Sequence, residues 1–187
     1  MPWTSTVNGS LSRMTWNFFV SKSRLAACTV DTALQEDLNN LHNISLSWNL
    51  NLNPKKCVLM RFGTANYLDG EASGYTLGNS SLNLVRTHRD LGVLIDSSLR
   101  FHPHVAEVVR KSSGLANQLI RNTVCRSLKF MTTLFISHIR PILDYCSTVW
   151  NHGYLGNVRL LESVQRRWTA NVSGLEGLSY PERLQRY

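Results

Sequence analysis

The sequence predicts an α+β fold in two parts: one helix with strands over residues 31–100, then an all-helical bundle over residues 101–187. Three observations predict it. Leucines recur at helical spacing from Leu34, alternating apolar residues follow between Cys57 and Ile95, and from Phe101 the apolar residues return every three or four positions. A chain of 187 residues, 43% hydrophobic and 17% charged, is long enough to bury a core.

Residues 1–30 contain Trp3, Trp16, Phe18 and Phe19 but no regular period and no Asp or Glu, and they read as an irregular segment. A helix follows. Thr32 and Gln35 have the spacing of a capping box, Leu34, Leu38 and Leu41 share a face, and Asp31, Glu36 and Asp37 favour the helix dipole. Asn53-Pro54 ends that segment. CVLMRF (57–62) predicts a strand with Val58, Met60 and Phe62 on one face, and 63–74 a polar loop. YTL (75–77) and LNLV (82–85), separated by GNSS, predict a hairpin, and LGVLI (91–95) a further strand alternating at Leu91, Val93 and Ile95.

Beyond it, Phe101, Val105, Val108, Leu115 and Leu119 form a helical stripe, with Arg110, Lys111 and Arg121 off it. A second helix is expected over about 126–150, kinked at Pro141, and a third from Asn157 to about Val172. In the third, Leu160, Leu161, Val164, Trp168 and Val172 face inward. A final helix starts at Pro181.

Twenty Lys and Arg against twelve Asp and Glu give a net charge of +8. The excess is uneven: residues 1–100 carry nine basic and seven acidic side chains, residues 101–187 eleven and five. The second part is therefore the one expected to meet phosphate. No apolar run approaches the roughly 18 residues that span a bilayer. No basic segment leads into an apolar stretch at the N-terminus, so no secretory signal is read. Cys28, Cys57, Cys125 and Cys146 are widely spaced and form no CxxC, which predicts reduced, mostly buried thiols in an intracellular protein, nuclear or cytoplasmic.

A series of short motifs carries a resemblance. LQEDL (34–38), Trp48, NLNPKKC (51–57) and Met60 come first, then RDLGVLID (89–96) with Phe101 and His104. SHIRPILDYCSTVW (137–150), LESVQRR (161–167) and YPERL (180–184) complete the series. In this order, over about 150 of the 187 residues, they resemble LINE-type (non-LTR, jockey-like) retrotransposon reverse transcriptases. The resemblance implies that 31–100 corresponds to the rear of the polymerase palm with its primer-grip hairpin, and that 101–187 corresponds to a truncated helical thumb. On that reading Arg89, Leu91 and Gly92 fall on the primer grip and Lys56 on the lysine that follows the catalytic strands. Lys111, Arg121, Arg126, Lys129, Arg140, Arg166 and Arg167 are the thumb cations able to track a phosphate backbone.

Polymerase chemistry places two divalent cations, magnesium in this family, about 4 Å apart between carboxylates. The resemblance puts the last carboxylate pair just ahead of the Leu34 helix, where this chain has WNFFVSKSR (16–24) with no acid. The implied function is thus a fragment of an RNA-directed DNA polymerase, without catalytic residues, metal ligands or cofactor of its own. It would retain weak, sequence-independent binding of an RNA or DNA primer–template. The alternative is a non-catalytic remnant that contacts protein, self-associating through palm surface once covered by the missing fingers. His102 and His104 flank Pro103 without further ligands at metal-binding spacing and read as a turn into the helices.

Overall fold

The computed structural model describes residues 32–50, 52–63 and 72–186. Its architecture is α+β, as the sequence predicts, and it divides into two compact units, Met1–Asp90 and Leu91–Tyr187. The irregular segment expected over 1–30 lies outside the described residues, as does most of the loop expected over 63–74.

The first unit is built on helix α1 (Thr32–Ser47), which buries Leu38. The helix ends on Asn49, whose φ of +54° is the left-handed conformation asparagine tolerates best after glycine. Leu50 N–H then donates to Ser45 O and Asn49 N–H to Leu46 O, closing the last carbonyls of the helix. Termination therefore comes several residues before Asn53-Pro54, which instead open a 3₁₀ turn (Pro54–Lys56) with the Asn53 side chain accepting from Lys55 N–H. Gln35 does not complete the expected capping box. Its side-chain amide donates to Thr76 O and accepts from Thr76 N–H, both at 2.9 Å, pinning the helix to a strand.

That strand is β2 (Ala72–Leu77). It pairs antiparallel with β3 (Ser80–Leu84), and β1 (Val58–Leu59) runs parallel to β3 on its other side, in the order β1-β3-β2. The predicted six-residue strand over 57–62 is thus only two residues long. Its pairing is limited to Val58↔Asn83 and Leu59↔Leu84, with Val85 N–H reaching back to Leu59 O, and β3 then leaves the sheet. Leu38, Tyr75, Leu77 and Leu82 are buried together between helix and sheet, with Leu34, Leu52, Cys57 and Leu59 packed around them.

The hairpin turn is Gly78-Asn79 rather than four residues. Gly78 has a φ of +59°, and a Cβ there would lie 2.8 Å from Nε2 of His42. Gly78→Ala is accordingly expected to destabilise the first unit by about 1–3 kcal/mol, through backbone strain and displacement of His42. Urea unfolding checks this, and an unchanged midpoint would contradict the close approach.

A two-stranded sheet of β4 (Thr87–Asp90) and β5 (Val93–Asp96) follows. Leu91 and Gly92, expected to open a strand, form its turn, with φ of +45° and +88°. Such a two-residue turn needs positive φ at both positions, which overrides the alternation of Leu91 with Val93. Leu91 is exposed.

Beyond β5 the second unit is helical, as predicted, with different breaks. It comprises α2 (His102–Asn122), α3 (Leu128–Leu134), a π-helical turn (Phe135–Ile139), α4 (Arg140–Asp144), α5 (Ser147–Trp150), α6 (Leu155–Thr169) and α7 (Tyr180–Arg186). Pro141 has no N–H to give Ser137 O. Just upstream the helix widens into the π-helical turn, where Arg140 N–H donates to Phe135 O. The single helix expected over 126–150 is broken again at Cys146, whose φ is +52°, and Tyr145 O there accepts from Nε1 of Trp150.

The buried stripe of α2 runs His104, Val105, Val108, Ser112 and Ala116, so Leu115 is only half-buried. Ser112 remains satisfied inside by donating to Val108 O. The main core gathers Ala116, Met131, Phe135, Ile139, Val164, Trp168, Val172 and Leu175. A second cluster joins Val93, Phe101, Val105 and Trp150. His104 Nδ1 accepts from Leu94 N–H and His102 Nδ1 meets Asn157 Oδ1 at 2.8 Å, so both histidines serve the entry to α2. Of the cysteines, Cys57 and Cys146 are half-buried and Cys125 is exposed, less buried than expected; all three are free thiols.

Candidate nucleic-acid interface

In the first unit Lys56 ends the 3₁₀ turn and is exposed, and Arg89 is an exposed residue of β4. In the second, Leu91 and Gly92 are held by Tyr145. Its hydroxyl donates to Leu91 O at 2.8 Å, and its ring lies 3.6 Å from where a Gly92 Cβ would stand. The turn is therefore shaped by an exposed tyrosine of the 137–150 segment.

The seven second-unit cations, six of them helical and Arg126 in the link before α3, separate into three groups. Lys111 is ion-paired with Glu107 and Arg140 with Asp144, each at 2.9 Å and one helical turn apart. These are exposed pairs of small energy, yet they offset part of the charge a polyanion would meet. Arg166 lies over the Tyr180 ring, 4.8 Å from its centroid, with Arg183 at 5.8 Å. Burial, then the Glu162 carboxylate, push the Tyr180 phenol above its ordinary pKa despite the two guanidiniums. Arg126 is tied to the Asn171 side chain and to Ile120 O.

Arg121, Lys129 and Arg167 form the third group. Their side chains have no hydrogen bond or ion pair within the described residues. Arg121 sits in the last turn of α2 and Arg167 in the last turn of α6. The packing of these helices brings both arginines to one open cleft of about 310 Å³, lined also by Asn117, Ile120 and Asn171. The carboxylates of the second unit are largely engaged elsewhere: Asp96 with backbone amides, Glu107 and Asp144 with their cations, Glu176 with Gly174 N–H and Glu182 with Ser179 N–H.

Asn117, Ile120 and Asn171 are the cleft residues missed by sequence reasoning. For the asparagines the available signal was spacing, since each stands four residues from its arginine, Asn117 from Arg121 and Asn171 from Arg167. What the spacing lacks is the crossing that brings the two pairs together.

The divalent cations implied by the resemblance find no fitting donor set among the described residues. Among the described residues no three His, Cys, Asp or Glu side chains gather where they could hold a metal ion, and the stretch matched to the catalytic pair, 16–24, lies outside those residues. No helix among the described residues is long and apolar enough to cross a membrane.

The site is thus a cation-lined cleft in a helical unit of an α+β chain, without a carboxylate cluster among the described residues. The chain is similar to the RNA-directed DNA polymerase from mobile element jockey of Drosophila funebris, with 25% identity over 154 residues. That similarity covers 80% of this chain but only 16% of the polymerase. It supports a reverse-transcriptase relationship. No protein-family model matches the chain, and no solved structure matches it.

Proposed function

We propose that the chain is a piece of a LINE-type reverse transcriptase, in which residues 31–100 correspond to the rear of the palm and 101–187 to the thumb. By itself it would not polymerise, and its remaining capability would be weak, sequence-independent binding of a primer–template in the nucleus or cytoplasm. The observation that carries this reading is the set of cations in the second unit that have no partner among the described residues, on a chain similar over most of its length to an RNA-directed DNA polymerase. Guanidinium groups with no carboxylate to satisfy them are available to phosphate oxygens. On the same reading Arg89, Leu91, Gly92 and Lys56 inherit positions that served the parent enzyme. The Leu91-Gly92 turn would present backbone to a primer strand, while Lys56 would have no leaving pyrophosphate to assist.

A primer–template duplex followed by fluorescence anisotropy at low salt tests binding, and primer extension with magnesium and all four dNTPs tests chemistry. Binding without incorporation is expected. Template-directed extension by this chain would overturn the inactive assignment, and absence of binding would overturn the nucleic-acid reading. A second reading, self-association through the first unit, is favoured by the exposure of Ile44 (50%), Leu46 (55%) and Trp48 (69%) on and just after α1. Sedimentation velocity separates the two, because a monomer that binds nucleic acid excludes the second.

A further inference from the structure

We infer that the cleft between the ends of α2 and α6 holds one unpaired nucleotide, its phosphate between Arg121 and Arg167 and its base against Ile120. This rests on the nucleic-acid reading above and narrows it from backbone tracking in general to a seat for a single-stranded residue. Arg121 and Arg167 both line one cleft, and their guanidiniums have no other partner among the described residues. Two planar forks on one oxyanion are the arrangement that grips phosphate best.

The surroundings decide what hangs from that phosphate. Ile120 supplies an apolar wall and Asn117 an amide with no hydrogen-bond partner among the described residues, able both to donate and to accept. Asn171 is held in place, its Oδ1 accepting from Arg126 and its Nδ2 donating to Arg167 O. An apolar wall with a free amide suits a base and sugar better than an inorganic ion. A cleft of about 310 Å³ is at the small end of ligand sites. It suits one nucleotide, which a paired base in a duplex could not enter without flipping. Both helices present the negative ends of their dipoles here, so the attraction for an anion resides in the two side chains alone.

The test compares Arg121→Gln/Arg167→Gln with the intact chain on a labelled single-stranded 12-mer and on the duplex of the same sequence. Arg110→Gln, which removes an exposed cation of α2 outside the cleft lining, serves as the charge control, and melting curves check folding. The double variant is expected to lose about tenfold or more on the single strand and clearly less on the duplex, while Arg110→Gln stays within about twofold. Unchanged single-strand affinity, or equal loss on both ligands, would overturn the nucleotide seat and leave the general nucleic-acid reading standing. If the intact chain binds neither ligand, both fall. In a second arm, adenosine 5′-monophosphate and inorganic phosphate are titrated separately while the arginine Nε–H resonances are followed by NMR. Tighter binding of the nucleotide supports the proposal, and equal affinity or no shift contradicts it.

Discussion

Replacing Trp168 by alanine is expected to remove about 3–5 kcal/mol from the stability of the second unit, enough to leave a domain of this size marginal or unfolded. Trp168 is fully buried at the centre of the main core, against Ala116, Met131, Phe135, Ile139 and Val164. Its ring packs on Phe135 with centroids 5.9 Å apart. Truncation leaves a cavity walled by elements separated in sequence, α2, α3, the π-turn and α6, and these cannot collapse together without breaking other contacts. The indole Nε1 is buried with no hydrogen-bond partner among the described residues, so Trp168→Phe deletes an unsatisfied donor and should cost clearly less than alanine. Urea denaturation of the two variants measures the difference. Equal losses would mean that ring volume is not what holds this core.

The second large effect is at Asp96. Its Oδ1 accepts from Phe101 N–H at 2.8 Å, while Oδ2 accepts from Ser98 N–H at 3.1 Å and from the Ser98 hydroxyl. These bonds close a tight loop in which Leu99 and Phe101 both have φ of +54°, a conformation that costs a non-glycine residue energy. They also set Phe101, 4% exposed, into the second cluster at the start of α2. Asp96→Ala leaves the donors without an acceptor and is expected to cost about 2–3 kcal/mol at neutral pH.

Burial alone would push the Asp96 carboxyl up. Hydrogen bonds from the Ser98 hydroxyl and from the amides of Phe101, Arg100 and Ser98 outweigh it and hold the group below its ordinary pKa. The unfolded chain, with a carboxyl near pH 4, therefore binds the proton more readily than the folded one. The stabilisation from ionised Asp96 is complete above about pH 5 and is lost as pH falls below about 4 and through the folded value. The gap between wild type and Asp96→Ala should narrow between pH 5 and pH 3. A gap independent of pH would contradict the ionised clamp.

These residues also show what the sequence made legible. The leucine period of α1, the apolar stripes of α2 and α6 and the core positions of Trp150 and Trp168 follow from burial, which acts on side-chain type and spacing. The breaks follow from backbone conformation and were not legible. Leu91 and Phe101 take positive φ without being glycine, because side-chain partners hold them there: Tyr145 at the Leu91 turn, Asp96 at the Phe101 loop. Gln35 illustrates the same limit. It has the right spacing for a cap, but a strand edge 41 residues away offers its amide two bonds.

The candidate interface divides along the same line. The excess of cations after Phe101 is visible in the sequence. Which of them remain open to a ligand depends on the carboxylates one turn away from Lys111 and Arg140, on the Tyr180 ring under Arg166, and on the helix crossing that joins Arg121 to Arg167.

The account's central claim is that this second unit grips nucleic acid through its unpaired cations, and the salt dependence of primer–template binding tests it most directly. Each phosphate neutralised contributes about −0.9 to the slope of log K against log salt concentration on duplex DNA. With Lys129 on the duplex and with Arg121 and Arg167 sharing one phosphate of the unpaired template strand, where a neutralised phosphate contributes about −0.7, the account predicts a slope of about −1.5. A slope near zero, or no measurable binding even at low salt, would contradict it.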